Sequence, residues 1–141
     1  RRAMGHLLGH GVRFGMARDV MAAGEGVETM LSLRMILPTL PMVAALSANH
    51  LAALLLPPTL RRLYIARDAD PAGDAATASL CTRAEAAGIE PFILSPCLDD
   101  FNDDLRRLGN EWLRISLCQQ LVSQDVERFL ALAGTGGAQA R

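Results

Sequence analysis

Two aspartates, Asp68 and Asp70, stand one residue apart in the stretch Tyr64-Ile65-Ala66-Arg67-Asp68-Ala69-Asp70-Pro71-Ala72-Gly73. They fall where an apolar run, Leu63 to Ala66, ends and a Pro-Ala-Gly turn opens an alanine-rich helical pattern. Two apart in extended chain, their carboxylates project to the same side, and such clustering raises at least one pKa unless a cation sits between them. A hard divalent ion resolves that repulsion, and Mg²⁺ is usually held by one or two carboxylates plus waters and substrate phosphates. The helix N-terminus that follows offers backbone N–H groups to an anion. The other reading is a solvated acidic loop in which Asp70 caps the helix. Spacing alone leaves both open.

Further acids fall at comparable places. Glu25 follows an apolar run in Ala22-Ala23-Gly24-Glu25-Gly26, and a cluster from Asp99 to Asp104 follows Ser95-Pro96. Known carboxylate loops can be tested against the pattern. An EF-hand would put Asp68, Asp70 and Gly73 at its first, third and sixth positions, but Ala72 and Ser79 occupy the fifth and twelfth, where ligands are needed. A haloacid-dehalogenase-type phosphatase begins with the same pair yet requires a downstream lysine. All 14 basic residues are arginine, so that chemistry is excluded, along with a Walker A phosphate loop and Schiff-base catalysis.

The elements that must position these acids are legible from periodicity. Val20 to Ala23 reads as a buried strand, Glu25 as the turn after it, and Val27, Met30, Leu31, Leu33 and Ile36-Leu37 as a helix stopped by Pro38. Met42 to Leu46 repeats the pattern, followed by a short helix that Ser47 or Asn49 can cap and that Pro57-Pro58 ends. The third unit is the strand Leu63 to Ala66 with a helix from about Ala72 to Ala87, closed by Gly88. A fourth strand, Pro91 to Leu94, follows, and Glu111 to Ala133 reads as one or two amphipathic helices. Successive strand–helix units with near-continuous apolar strands imply a parallel sheet covered on both faces, whose ligands bind outside the carboxyl ends of the strands. Glu25, Asp68 and the Asp99–Asp104 cluster all fall at that edge.

Here a resemblance becomes specific. Glu-Gly-x-Glu-Thr-x-Leu-Ser-Leu after one strand and Asp-x-Asp-x-Ala-Gly after a later one resemble the Toprim domain shared by topoisomerases and primases. The wording "GEGVETMLSL", "RDADPAGDAA" and "DDFNDDL" is most similar to primase/helicase-type Toprim proteins of phages, plasmids and integrated elements, over about residues 19 to 109. The resemblance implies an α/β Toprim (Rossmann-like) fold with a mainly parallel sheet of about four strands. It assigns Glu25 as general acid/base or metal ligand, and Asp68 and Asp70 as the pair holding Mg²⁺ or Mn²⁺. Asp100, with Asn102 and Asp103 beside it, falls where further acids support a second cation. Glu28 either touches the metal through water or favours the helix N-terminus. Arg67 contacts a nucleic-acid phosphate or, the preferred reading, pairs with a neighbouring carboxylate. Arg61 and Arg62 are read as a solvated turn.

The implied activity is metal-dependent nucleotidyl transfer on single-stranded DNA, as in primer synthesis. The alternatives are a Toprim nuclease of the overcoming-lysogenisation type and a non-catalytic metal- or nucleic-acid-binding module. The single tyrosine, Tyr64, lies in a core strand, which argues against a topoisomerase nucleophile.

The whole chain sets bounds on these readings. Its 141 residues, half apolar and 21% charged, suit one soluble domain. A net charge of −1 spreads no basic field for nucleic acid, so such binding has to be local or shared with other domains. No apolar run approaches the ~20 residues of a membrane span, and a cytoplasmic location is expected. Cys81, Cys97 and Cys118 read as buried thiols of a reducing compartment. His6 and His10 read as turn or surface residues rather than zinc ligands. The expected layout is a glycine-rich lead-in over 1–18 that ends an upstream region, the Toprim domain over 19–109, a helical extension over 110–133 and a disordered tail over 134–141. A zinc-binding region upstream and a helicase in the full-length protein are the expected partners, alongside single-stranded DNA and nucleotides.

Overall fold

A computed structural model describes residues 11–130. Five strands form one sheet: β1 (Val12–Phe14), β2 (Val20–Gly24), β3 (Met42–Ala44), β4 (Arg62–Ala66) and β5 (Glu90–Leu94). Its order is β1-β3-β2-β4-β5. The last four strands are mutually parallel, with Val20 to Gly24 of β2 in register with Arg62 to Ala66 of β4. β1 runs antiparallel against β3, Val12 opposite Ala44. The glycine-rich lead-in therefore supplies a fifth strand beyond the four that apolar runs revealed. The approach is close: a Cβ on Gly11 would collide with the Ala44 carbonyl. His6, His10 and the tail lie outside the described residues.

Strands of a doubly covered sheet need apolar residues on both sides, and the sequence supplies them in alternation. Val20, Ala22, Tyr64, Ala66 and Leu94 face one layer; Met21, Ala23, Leu63 and Ile65 face the other. The first layer is built by α1 (Val27–Ile36), α4 (Phe101–Leu108), α5 (Asn110–Gln120) and α6 (Ser123–Phe129). The second is built by α2 (Ala48–Ala52) and α3 (Pro71–Ala86). Among the described residues no helix is long and apolar enough to cross a membrane.

Two sequence expectations are corrected. Cys97 and Cys118 are exposed and Cys81 is only half-buried. On α5 the inward positions are taken by Leu113 and Leu117, which turns Cys118 outward. Arg62 is no solvated turn residue. Its guanidinium donates two hydrogen bonds, at 2.6 and 2.9 Å, to the fully buried carboxylate of Asp125 on α6, which also accepts one from the Tyr64 hydroxyl. Arg61 alone is exposed.

A second ion pair, Asp19 with Arg128, fastens α6 to the start of β2 at 2.7 and 2.9 Å. The Arg128 hydrogen bonds hold the Asp19 carboxyl down at about 2. A depressed pKa stabilises the folded state above the ordinary value near 4, and that contribution disappears as pH falls through 2. Both side chains are over a third exposed, so the contribution stays within the roughly 0–1 kcal/mol of surface pairs. Acid titration of stability should be slightly steeper between pH 4 and 2 in the native protein than in Asp19→Asn; coincident curves would show that the pair contributes nothing.

Candidate metal and phosphate site

Beyond the carboxyl ends of β2, β3, β4 and β5, the loops are tied together by their backbones. Ala45 and Leu46 donate to the carbonyls of Gly24 and Glu25, Arg67 to Leu94, and Ala69 to Asp99, all at 2.7–2.9 Å. These bonds continue the parallel ladders past the strand ends and hold three acidic loops in fixed relation. Between them lies a cavity of about 550 Å³ whose lining includes Glu25, Glu28, Asp68, Asp100 and Leu46.

Asp68 is the electrostatic centre. Burial, and then the charges of Glu25, Asp100 and Asp70, push its carboxyl up to about 6. Its Oδ1 is buried and has no hydrogen-bond partner. A buried acceptor left unmet beside other carboxylates suits a cation. Among the described residues no three His, Cys, Asp or Glu side chains stand closed around a metal-sized point. Mg²⁺ does not need that many, since waters and substrate phosphates complete its octahedron. The residues present therefore fit a hard divalent ion.

The neighbouring helix is built to bring Asp68 in. Asp70 is the N-cap of α3, its Oδ1 accepting from the Gly73 N–H at 2.6 Å, with Pro71 at the first helical position. A Cβ at Gly73 would stand 2.7 Å from the Asp68 carbonyl and 3.2 Å from its Cβ, so the glycine is what lets the helix abut Asp68. Helix capping and a role near a cation are thus not exclusive: one Asp70 oxygen serves the helix while the side chain's charge is felt at Asp68. Asp70 itself is exposed and lies outside the cavity wall.

The other sequence candidates divide. Glu25 stands between Gly24 and Gly26 in the cavity wall. A Cβ at Gly24 would meet Met30 Sδ at 2.5 Å and Ala66 Cβ at 3.2 Å, which keeps the strand end against β4 and Glu25 near Asp68. Asp100 lines the cavity and is the N-cap of α4, accepting from the Asp103 N–H at 2.7 Å. Glu28, exposed in the first turn of α1, borders both the cavity and an adjoining groove of about 400 Å³ between α1 and α4. Asn102 belongs to that groove, where its Oδ1 accepts from Ser32 Oγ at 3.3 Å. Asp103 is 3.9 Å from Arg106 and lies outside the cavity wall. Arg67 pairs with Asp74 at 2.6 Å, the carboxylate partner preferred over a phosphate.

Two residues given no individual site role from the sequence complete the picture. Asp104 is fully buried, and its oxygens accept from the N–H groups of Cys97 and Leu98 at 2.9 and 2.8 Å, fixing the loop that carries Asp100. The signal was present: Asp104 sits on the face of α4 shared by Phe101, Leu105 and Leu108. Leu46 is the second: the sequence expectation ended a buried strand there, but β3 stops at Ala44 and Leu46 is exposed. Among the described residues it is the only non-glycine with positive φ, at 83°. For an L-residue with an ordinary side chain this conformation costs on the order of 1 kcal/mol.

With fold and acids placed, comparison with known proteins identifies the class. The sequence profile of the Toprim domain matches residues 20–111, most of the chain, and the protein belongs to that family. No curated protein matches it. Among solved structures it is similar to the primase fragment of the bacteriophage T7 primase-helicase protein, with a TM-score of 0.52 and 14% identity over 74% of this chain and 44% of that one. It is similar to the Aquifex aeolicus primase (zinc-binding and RNA polymerase domains), with a TM-score of 0.53 and 24% identity over 72% and 26%. A DNA primase domain from Pseudomonas aeruginosa gives 0.51 and 20% identity over 72% and 33%. At these identities the likeness is one of fold, and the chain spans less than half of each.

Proposed function

We propose that this chain is the Toprim core of a primase-like protein, performing divalent-metal-dependent nucleotidyl transfer that extends a primer on single-stranded DNA. The observation that carries the reading is the convergence of Glu25, Asp68 and Asp100, from three separate strand ends, on one cavity. Asp68, assisted by Asp70 and Glu25, would hold Mg²⁺ or Mn²⁺, with Asp100 and the neighbouring Asp103, Glu28 and Asn102 as support for a second ion. When bound, the ion neutralises phosphate charge and orients the attacking and leaving oxygens. Glu25 contributes a carboxylate that accepts the proton of the attacking hydroxyl. Asp104, through the Cys97–Leu98 backbone, keeps Asp100 in place.

The near-neutral charge is consistent with DNA being gripped partly by other regions of a longer cytoplasmic protein. A zinc-binding region upstream and a helicase are the partners proposed, as in a replication protein of a mobile element. The layout proposed is a lead-in to residue 18, the Toprim unit to 109 and a helical extension beyond it.

A primer-synthesis assay and a nuclease assay on one preparation of the full-length protein test this, with Glu25→Gln as control. Metal-dependent primers that disappear in Glu25→Gln support the proposal. Cleaved DNA instead would mean a nuclease, and neither product would mean a binding module; both outcomes overturn it.

A further inference from the structure

We propose that Leu46 is a substrate-contact residue that receives the nucleoside part of the nucleotide whose phosphates the carboxylate site holds; this rests on the nucleotidyl-transfer reading above. Three independent features meet at this residue. Its backbone is left-handed, φ 83°, a conformation that glycine or asparagine adopts more readily and that leucine resists. Its side chain is 53% exposed, so this strain secures little apolar burial within the fold. And it stands in the wall of the cavity that contains Glu25, Asp68 and Asp100.

Nor is its position incidental to the acids. The Leu46 N–H donates to the Glu25 carbonyl at 2.7 Å, and the next residue, Ser47, caps α2 by accepting from the His50 N–H. The Leu46 backbone is thus tied between the Glu25 turn and a helix start. The same cavity wall includes Val27, half-buried. One cavity wall therefore includes both carboxylates and the aliphatic side chains of Val27 and Leu46. A metal-bound nucleotide has two matching parts: a polyanionic phosphate chain that needs a cation between it and the acids, and a flat, largely apolar base and sugar that lose water against an aliphatic surface. Inorganic triphosphate has only the first half.

That difference supplies the test. Binding of Mg²⁺-tripolyphosphate and Mg²⁺-ATP is measured on the full-length protein and on Leu46→Gly and Leu46→Asn, both of which tolerate the left-handed backbone. The native protein should bind ATP about tenfold more tightly than tripolyphosphate, the yield of one aliphatic contact. In both variants the preference should vanish while tripolyphosphate affinity and thermal stability are kept, and Leu46→Met should restore it. Tripolyphosphate binding without a nucleotide preference, or a preference that survives in both variants, overturns the role of Leu46 and leaves the cation site standing. No binding of either ligand overturns the cation site and this inference with it. A variant that loses both ligands together with thermal stability would show that Leu46 serves the fold, which also overturns it.

Discussion

Asp125→Ala is expected to destabilise the protein by about 3–5 kcal/mol, a large part of the roughly 5–15 kcal/mol that holds a typical domain folded. The carboxylate is fully buried and satisfies three donors, two from Arg62 and the Tyr64 hydroxyl at 2.5 Å. Removing it leaves the Arg62 guanidinium, only 14% exposed, with Glu90 at 3.7 Å as its remaining carboxylate, and that partner lies out in solvent. It also strands a phenol in the core, where burial and the Asp125 bond already raise the Tyr64 pKa far above its ordinary value. Urea unfolding gives the readout: the midpoint should fall sharply with an unchanged slope. A loss below about 1 kcal/mol would mean that water reaches the cluster and the charges are not truly enclosed. Exchanging Arg62, Tyr64 and Asp125 together for apolar residues should be far milder, because the penalty lies in the orphaned partners rather than in the lost pair.

Asp68→Asn is expected to act in opposite directions on stability and on metal binding. Without divalent ions the native protein keeps at this position an ionised carboxylate whose pKa, raised to about 6 by burial and by Glu25, Asp100 and Asp70, records how poorly its charge is accommodated. A shift of that size corresponds to at most about 3 kcal/mol before solvent screening, so the neutral variant should melt higher than the native protein at pH 7. With Mg²⁺ the order should reverse in effect: the native protein gains stability with ion concentration and the variant does not. Primer synthesis in the full-length variant should fall by roughly a hundredfold or more, the scale of losing one preorganised electrostatic group. An Asp68→Asn protein that still gains stability from Mg²⁺ would remove Asp68 from the site. Asp70→Asn should differ instructively, losing less metal response but weakening α3, because one of its oxygens caps that helix.

Chain periodicity revealed most of this architecture because doubly covered parallel strands have unusually plain sequences. Val20 to Ala23 and Leu63 to Ala66 are near-continuous apolar runs, buried throughout, while Pro91 to Leu94 is an apolar run at the sheet edge and only partly buried; each turned out to be a strand or the bulk of one. β1 was less plain for a physical reason: Val12–Phe14 is a three-residue edge strand, exposed on much of its surface, whose pairing is decided by β3 and not by its own composition. Glu25 and Asp68 were legible because a charge so soon after a buried run has few structural uses, whereas Asp100, farther along the loop after β5, was legible from its acidic cluster and the resemblance. Arg62 was misread because its partner is 63 residues away, and no local pattern announces so distant a pair. Asp104 and Asp125 each carried a fainter sign. Asp125 falls midway between Leu121 and Phe129 at helical spacing, on a stripe otherwise apolar, and an acid in that position requires buried donors.

The Arg62–Tyr64–Asp125 cluster also bears on where this molecule can be cut. The family match ends at residue 111, and a fragment trimmed there would look complete by sequence similarity. It would nevertheless deprive Arg62 and Tyr64 on β4, which lies between β2 and β5, of the Asp125 carboxylate, and would strip Leu113, Leu117, Leu121 and Phe129 from the layer over the sheet. The packed core therefore extends beyond the stretch that similarity recognises. Expression fragments and domain swaps should therefore keep α6, through at least Phe129.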